Sequence, residues 1–359
     1  MRFLRRNKKI IIGITSIVII GILIFFGTKS SGMKINRVKN SVYAGNAFGT
    51  TLKKTLYSED LTSLDSMNDK LDKCLKDLEN QISVRIVTSE ISKCNYNHSA
   101  GGQYQLSEDL QSYLKEEMEI YKESQGAYSP CMRPIAGLWG IEDGKQEVPD
   151  EASIQKALKI TDADKVHLYD GGVILDEEGM MLDFGATGKG IACDKVREVL
   201  TESDLQGAVV SIGGSICVYG DKGDGKDWHI GIQNPRSTDG DVFAVVDVPG
   251  TVTISTSGDY EKYFEKDGVR YHHIFDPKTG YPADSGLISV TIISEDGLLS
   301  DGMSTACFVL GLEKGMDYAN QKGVDAVFVT SDKKVYVTDG LKKRLRLQSE
   351  DYTLEKYKK

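Results

Sequence analysis

Ala208-Val209-Val210-Ser211-Ile212-Gly213-Gly214-Ser215-Ile216-Cys217-Val218-Tyr219 reads as two short strands, 208–212 and 216–219, joined by a tight turn. The runs are rich in β-branched residues, and the Gly213-Gly214 pair supplies the backbone freedom that a two-residue connection needs. Strand signals of the same kind recur at 228–233, 242–248, 251–255, 288–294, 326–330 and 334–337. Ahead of the hairpin, Leu61, Leu64, Met67, Leu71, Cys74, Leu75 and Leu78 keep helical spacing, and further helices are predicted over 107–124, 151–158 and 194–200. Alternation over 43–57 predicts one strand, and 126–149, with Pro130, Pro134 and Trp139, reads as a broken loop. Residues 166–183 read as short strands turning at Gly171-Gly172 and Glu178-Gly179, and the last helices begin near Asp301 and Leu312. No internal repeat emerges. Because neighbouring strands meet through hairpins and not through helical crossovers, the fold class is α+β, with antiparallel sheets flanked by helices.

The chain has 359 residues, 40% hydrophobic and 27% charged, and about 320 of them remain for a folded part once the N-terminus is set aside. A net charge of −9 leaves no basic surplus to neutralise a phosphodiester backbone, which argues against nucleic acid as a partner. An anionic small ligand would need a local cation.

Residues 1–9 form a basic flank with Arg2, Arg5, Arg6, Lys8 and Lys9. An apolar stretch, 10–27, follows and is long enough for a single membrane span. Positive charge on one side only predicts a cytoplasmic N-terminus and an extracytoplasmic remainder at the plasma membrane. A cleaved signal peptide competes, but the run is long for one and lacks a clear cleavage site. The expected organisation is completed by a linker 28–38, a folded domain 39–348 and a charged tail 349–359. Six cysteines without a Cys-x-x-Cys spacing indicate buried, unpaired thiols, not a zinc site or redox pair.

Three motifs carry chemistry. Asp301-Gly302-Met303-Ser304-Thr305 places a carboxylate and a hydroxyl on one helical face, where they can share a hard cation beside a phosphate. The same residues also read as a helix cap at Asp301 or Ser300 and a surface hydroxyl. Asp183-Phe184-Gly185-Ala186-Thr187-Gly188-Lys189-Gly190 turns from a strand into a helix, so its amides can approach a phosphate and Lys189 adds positive charge; a plain structural connection accounts for it equally. It fits neither the Walker nor the Rossmann spacing. On a strand, His272 and His273 point to opposite faces, so only one can face a site.

Together with Gly49-Thr50, Ser89-Glu90-Ile91-Ser92, Asn95, Gly126-Ala127-Tyr128, Leu138-Trp139-Gly140, Asp194, Gly213-Gly214, Trp228, Asn234-Pro235, Ser257-Gly258-Asp259-Tyr260 and His273-Ile274-Phe275-Asp276-Pro277-Lys278-Thr279-Gly280, these segments resemble the ApbE family, the FAD:protein FMN transferases. The resemblance runs from about Ala47 to Val337, in the family's order. It implies an enzyme that binds FAD as substrate, uses Mg²⁺, and moves the FMN half onto a threonine or serine hydroxyl of an acceptor protein, releasing AMP. By the family pattern, Asp301, Thr305 and the main-chain oxygen of Ala186 hold the metal. Phe48, Arg85, Gly126, Ala127, Tyr128, Asp183, Lys189 and Phe275 match positions that contact the flavin nucleotide. His273 matches the histidine beside the reacting phosphate and is assigned as the base, with Asp301 and Lys189 completing the catalytic set. An unperturbed imidazole, titrating near pH 6.5, suits that role. Asp259 and Asp276 either orient the loop or cap turns.

Two departures stand out. Arg85 lies where the family often has an aromatic residue after the position of Ser83, and Ser129 replaces an aspartate. Two other activities fit the same residues: hydrolysis of FAD to FMN and AMP, and flavin binding without catalysis.

Overall fold

The computed structural model of the chain describes residues 38–237 and 240–357. The basic flank, the expected membrane span and all of the linker but Val38 lie outside the described residues. Among those described, no helix is long and apolar enough to cross a membrane.

In chain order the first half carries β1 (Lys39–Ala47), β2 (Thr50–Ser58), α1 (Thr62–Ile82), α2 (Glu90–Asn97), β3 (Gln103–Gln105), α3 (Glu108–Glu123), α4 (Arg133–Trp139), α5 (Glu151–Leu158), β4 (Val166–Tyr169) and β5 (Gly172–Leu175). The second half carries α6 (Gly188–Thr201), β6 (Gly207–Ile212), β7 (Ser215–Gly220), β8 (Trp228–Gln233), β9 (Val242–Val248), β10 (Val252–Gly258), β11 (Tyr263–Lys266) and β12 (Val269–His272). It ends with β13 (Leu287–Ser294), α7 (Gly297–Lys322), β14 (Asp325–Thr330), β15 (Lys334–Val337), β16 (Leu345–Leu347) and β17 (Thr353–Leu354).

A sheet in the order β1-β2-β6-β7-β10-β13-β14-β15-β17 forms the centre. Its neighbours pair antiparallel up to β15, and β17 adds to β15 in parallel. The mixed α+β architecture expected from hairpin spacing is therefore present. Both faces of the sheet are covered, which is why β13 and β14 read as almost unbroken apolar runs. Val210, Ile212, Val290, Ile292 and Phe328 pack with Leu71, Val196, Met303 and Phe308 of α1, α6 and α7 on one face. Val218, Ile254, Val327 and Val329 pack on the other against Trp228, Ile232, Phe243 and Val246 of the β16-β9-β8 sheet. At about 2 kcal/mol for each fully buried large apolar side chain, these two layers supply the main cohesion of the domain. A third cluster around Trp139, Ile135, Ile154, Phe264 and Phe275 supports the β11–β12 hairpin.

Several elements differ from the sequence reading. Residues 43–57 are not one strand: the chain reverses at Phe48-Gly49, both left-handed at φ 52° and 68°. The loop 126–149 contains α4, with Pro134 in its first turn, where a missing N–H costs nothing. The helix expected from Asp194 begins at Gly188. The two helices expected at Asp301 and Leu312 form the single segment α7, broken at Gly311 (φ 78°). Its cap is Asp296, whose carboxylate accepts from Leu299 N, so neither Asp301 nor Ser300 caps it. The 349–359 segment is not wholly a free tail, since Tyr352 is buried against Phe243 and Thr353–Leu354 pair with β15. All six cysteines are free, and five are buried.

Candidate active site

Two helix starts meet at the site. No strand leads into the 183–190 turn as expected, since β5 ends at Leu175; Asn95 holds the irregular entry instead, donating to Leu182 O and accepting from Leu182 N, each at 2.8 Å. Asp183 Oδ1 then accepts from Gly185 N at 2.8 Å, and the turn that follows delivers the chain into α6. Gly190 N, one of the helix-start amides with no intrahelical acceptor, donates to Asp301 Oδ2 at 2.9 Å. Ser215 Oγ donates to the other Asp301 oxygen at 3.2 Å, and Lys189 Nζ stands 3.8 Å from Oδ2. Asp301 is 2% exposed.

This closeness rests on two glycines. A Cβ at Gly190 would lie 2.0 Å from the Gly297 carbonyl oxygen, and one at Gly297 would lie 2.3 Å from that of Gly190. Asp194 locks the crossing by accepting from Gly297 N at 2.8 Å and Leu298 N at 3.0 Å. Thr305, one turn past Asp301 on the same face, has its hydroxyl 3.1 Å from Ser257 Oγ.

Ala186, Lys189, Asp301, Thr305, His273 and Phe275 all line one cleft of about 960 Å³ that opens to solvent. A second cleft of about 850 Å³ takes in Phe48, Arg85 and Gly213-Gly214. The two share Glu142, Asp183, Gly185, Lys189, Glu261 and His273 as a common wall. Ala127, Tyr128 and Asp183 line the first cleft as well, whereas Gly126 lies behind it and supplies a left-handed turn (φ 78°) that aims its two successors inward. Gly213-Gly214 is both the strand turn and a wall of the second cleft.

Of the two histidines, His272 is buried against Phe308 and its Nε2 lies 3.1 Å from Ala283 O. His273 faces the site. Its Nδ1 lies 3.3 Å from the Lys262 carbonyl, so Nδ1 carries the proton and Nε2 keeps its lone pair. Burial lowers the His273 pKa, Glu142 opposes the shift, and Lys262 and Lys189 add to it, leaving a value of about 4. The imidazole is therefore neutral at pH 7, well below the unperturbed titration expected from the sequence.

Charges missed in the sequence surround it. Glu142 is pushed up by burial, but Lys262 and Arg85 outweigh this and hold it at about 2. Its Oε1 accepts from Lys262 Nζ at 2.5 Å and its Oε2 from Arg85 at 2.9 Å. The walls around the Glu261 carboxyl raise its pKa; Lys189 pulls it down, while Asp301 and Glu142 push it further up. Burial disfavours the Lys189 ammonium, yet Asp301, Glu261 and Glu142 more than compensate and raise its pKa. Asp183 is raised to about 6 by burial, with Arg133 and the Gly185 amide opposing. Asp276 caps a turn through Lys278 N, and Asp259 holds Arg236 in a bidentate pair at 2.7 Å.

Chemically, the cleft offers hard oxygen donors from Asp301, Thr305 and Ala186 beside an ammonium and a neutral imidazole. No group of three His, Cys, Asp or Glu side chains suited to a metal occurs among the described residues. A buried carboxylate whose ammonium neighbour stays at 3.8 Å, with Thr305 and Ala186 among the residues lining the same space, fits an oxygen-seeking ion that keeps some of its water.

The model of the ApbE family matches residues 48–328. The chain belongs to the ApbE family. A FAD:protein FMN transferase of Treponema pallidum is 37% identical over 267 residues, 70% of this chain and 74% of that protein. Among solved structures, the ApbE protein of Thermotoga maritima superposes with a TM-score of 0.77 at 29% identity, covering 84% of this chain and 98% of that one. The flavin transferase ApbE of Vibrio cholerae gives 0.75 at 26% identity, covering 86% and 99%. In this ApbE chain the two departures have clear surroundings. Arg85 is engaged by Glu142 and approaches Asp143 at 3.8 Å, while Ser129 bonds Thr161 O and Cys131 N within the fold.

Proposed function

We propose that this chain, an enzyme of the ApbE family, transfers the FMN half of FAD onto a threonine or serine hydroxyl of an acceptor protein, with Mg²⁺ and release of AMP. The observation that carries this reading is the convergence of Asp301, Thr305, Ala186, Lys189 and His273 on one cleft. Asp301, Thr305 and the Ala186 carbonyl would hold Mg²⁺, which when bound neutralises negative charge on the diphosphate oxygens. Lys189 adds its own positive charge there. His273 Nε2 takes the proton of the acceptor hydroxyl, whose oxygen attacks the FMN-side phosphorus. The bond from that phosphorus to the bridging oxygen breaks, and the oxygen leaves with AMP. Lys262, through its carbonyl, keeps His273 in the tautomer this step needs.

Arg85, Lys189 and Lys262 ring the common wall of the two clefts and fit a doubly charged diphosphate, while Phe275 and Met132 offer apolar surface to a flavin ring. The span 10–27 would anchor the enzyme in the plasma membrane with its catalytic domain outside the cytoplasm, where acceptors tied to electron transfer would be reached. Incubating residues 38–359 with FAD, Mg²⁺ and candidate acceptors should add one FMN mass to a Ser/Thr-containing peptide. Release of FMN and AMP with no labelled acceptor would instead establish hydrolysis. A C-terminal reporter active in the cytoplasm would refute the topology.

A further inference from the structure

Behind the cleft lies a carboxyl group that the proposed reaction does not use. Glu117 sits on the buried stripe of α3 beside Leu114 and Met118, and is itself 0% exposed. Its Oε1 accepts from two hydroxyls, that of Tyr128, a residue of the cleft lining, and that of Thr187, which is buried just behind the lining residue Ala186. Its Oε2 has no hydrogen-bond partner among the described residues. Both bonds thus converge on one oxygen.

The partners make this arrangement consequential. Tyr128 follows Ala127, and Thr187 follows Ala186. Both hydroxyl-bearing residues are almost fully buried, at 1% and 0%, so neither bond is a surface contact shared with water. The same helix also meets α7: a Cβ at Gly302, next to Asp301, would come within 2.6 Å of Ile120 Cδ1 and 3.2 Å of Thr187 Cγ2. α3, the 183–188 turn and the Asp301 segment are therefore in contact around one point.

We propose that Glu117 is a positioning residue that clamps the Ala186-Thr187 turn to Tyr128, so that the Ala186 carbonyl is presented to the ion seat formed by Asp301 and Thr305. The inference rests on the proposed metal site. The carboxyl touches no reacting atom; its effect passes through the two hydroxyls. Burying a carboxyl with one oxygen unpartnered is unfavourable, and a chain needing only core packing at 117 would fill it with Leu or Met.

The test uses the 38–359 chain and three variants, Glu117→Leu, Glu117→Gln and Thr187→Val. Two readouts apply: amide hydrogen exchange of residues 186–188 and 127–128 without ligand, and Mn²⁺ affinity by paramagnetic resonance. Glu117→Leu should speed exchange in both segments at least tenfold and weaken Mn²⁺ by about as much. Glu117→Gln, whose side-chain carbonyl can accept both hydroxyls, should restore most of each. Thr187→Val should reproduce the faster exchange at 186–188 and the Mn²⁺ loss while leaving 127–128 protected, and it carries the test should Glu117→Leu not fold. Unchanged exchange in Glu117→Leu or in Thr187→Val would overturn the proposal, as would a melting point lowered with both readouts unmoved. A parent chain that bound no Mn²⁺ would sink the metal site, and the exchange arm would still decide whether Glu117 clamps the two segments.

Discussion

Asp301→Asn separates the chemical role of Asp301 from its structural one. An asparagine can keep its carbonyl oxygen toward Gly190 N and turn its amide toward Ser215 Oγ, so both contacts at 2.9 and 3.2 Å survive in neutral form. Bonds to a charged acceptor are worth about 1.5–3 kcal/mol each and neutral ones about 0.5–1.5, so two replacements cost about 2 kcal/mol. Part of this is offset because a buried amide is easier to desolvate than a carboxylate. The unfolding midpoint should drop by only a few degrees. FMN transfer should fall at least a hundredfold, about 2.7 kcal/mol of barrier, because the one carboxylate among the expected metal donors is gone. The assay pairs thermal unfolding with the mass of the labelled acceptor at saturating Mg²⁺. Parent-like turnover in a folded Asn variant would refute the site.

Three further outcomes follow from the same geometry. With its pKa near 4, His273 binds fewer protons in the folded chain than in the unfolded one between about pH 4 and 6.5, so its contribution to stability declines as pH falls through that window. Urea titrations across the window should show a slope that His273→Gln flattens, and the acidic limb of the rate profile should lie near pH 4. Glu142→Gln frees Arg85 and Lys262 from their shared carboxylate and should tighten FAD binding several-fold at low salt, an effect that fades as salt rises, read by flavin fluorescence. Trp139→Ala removes a fully buried ring that donates to Gly280 O at 2.8 Å and contacts Phe275; it should cost about 3–5 kcal/mol in chemical denaturation and weaken FAD binding as well.

How much of this was legible in the sequence depended on whether the signal was local. β8, β9 and α5 fall on their predicted residues because a clean period and flanking turn residues act within a few positions. The β1–β2 turn was missed because Phe48 adopts a left-handed conformation that its side chain does not advertise. Gly188 and Gly190 hid the start of α6: helix propensity argues against both, but contact with α7 demands a glycine at 190, and at 188 a Cβ would press on Ile82 of α1. The cap of α7 at Asp296 was overlooked because Gly297 follows it. At the site, the motif residues on the two helix starts were readable as a pair of short patterns. Glu142 and Lys262 were not, since they meet across 120 positions of chain. Glu117 did leave a trace: a charged residue at the i+3 position from Leu114, inside an apolar stripe, is a mismatch that only a buried partner resolves.

The backbone contact of Gly190 with Gly297 gives a way to sort related chains. One that kept the acidic and hydroxyl residues but carried a methyl group at either position would force the two helices apart and strand Asp301 from its amide. On the metal site proposed above, such a protein would display every expected donor and yet hold no ion, and helix spacing, more than an inventory of side chains, would mark it as inert.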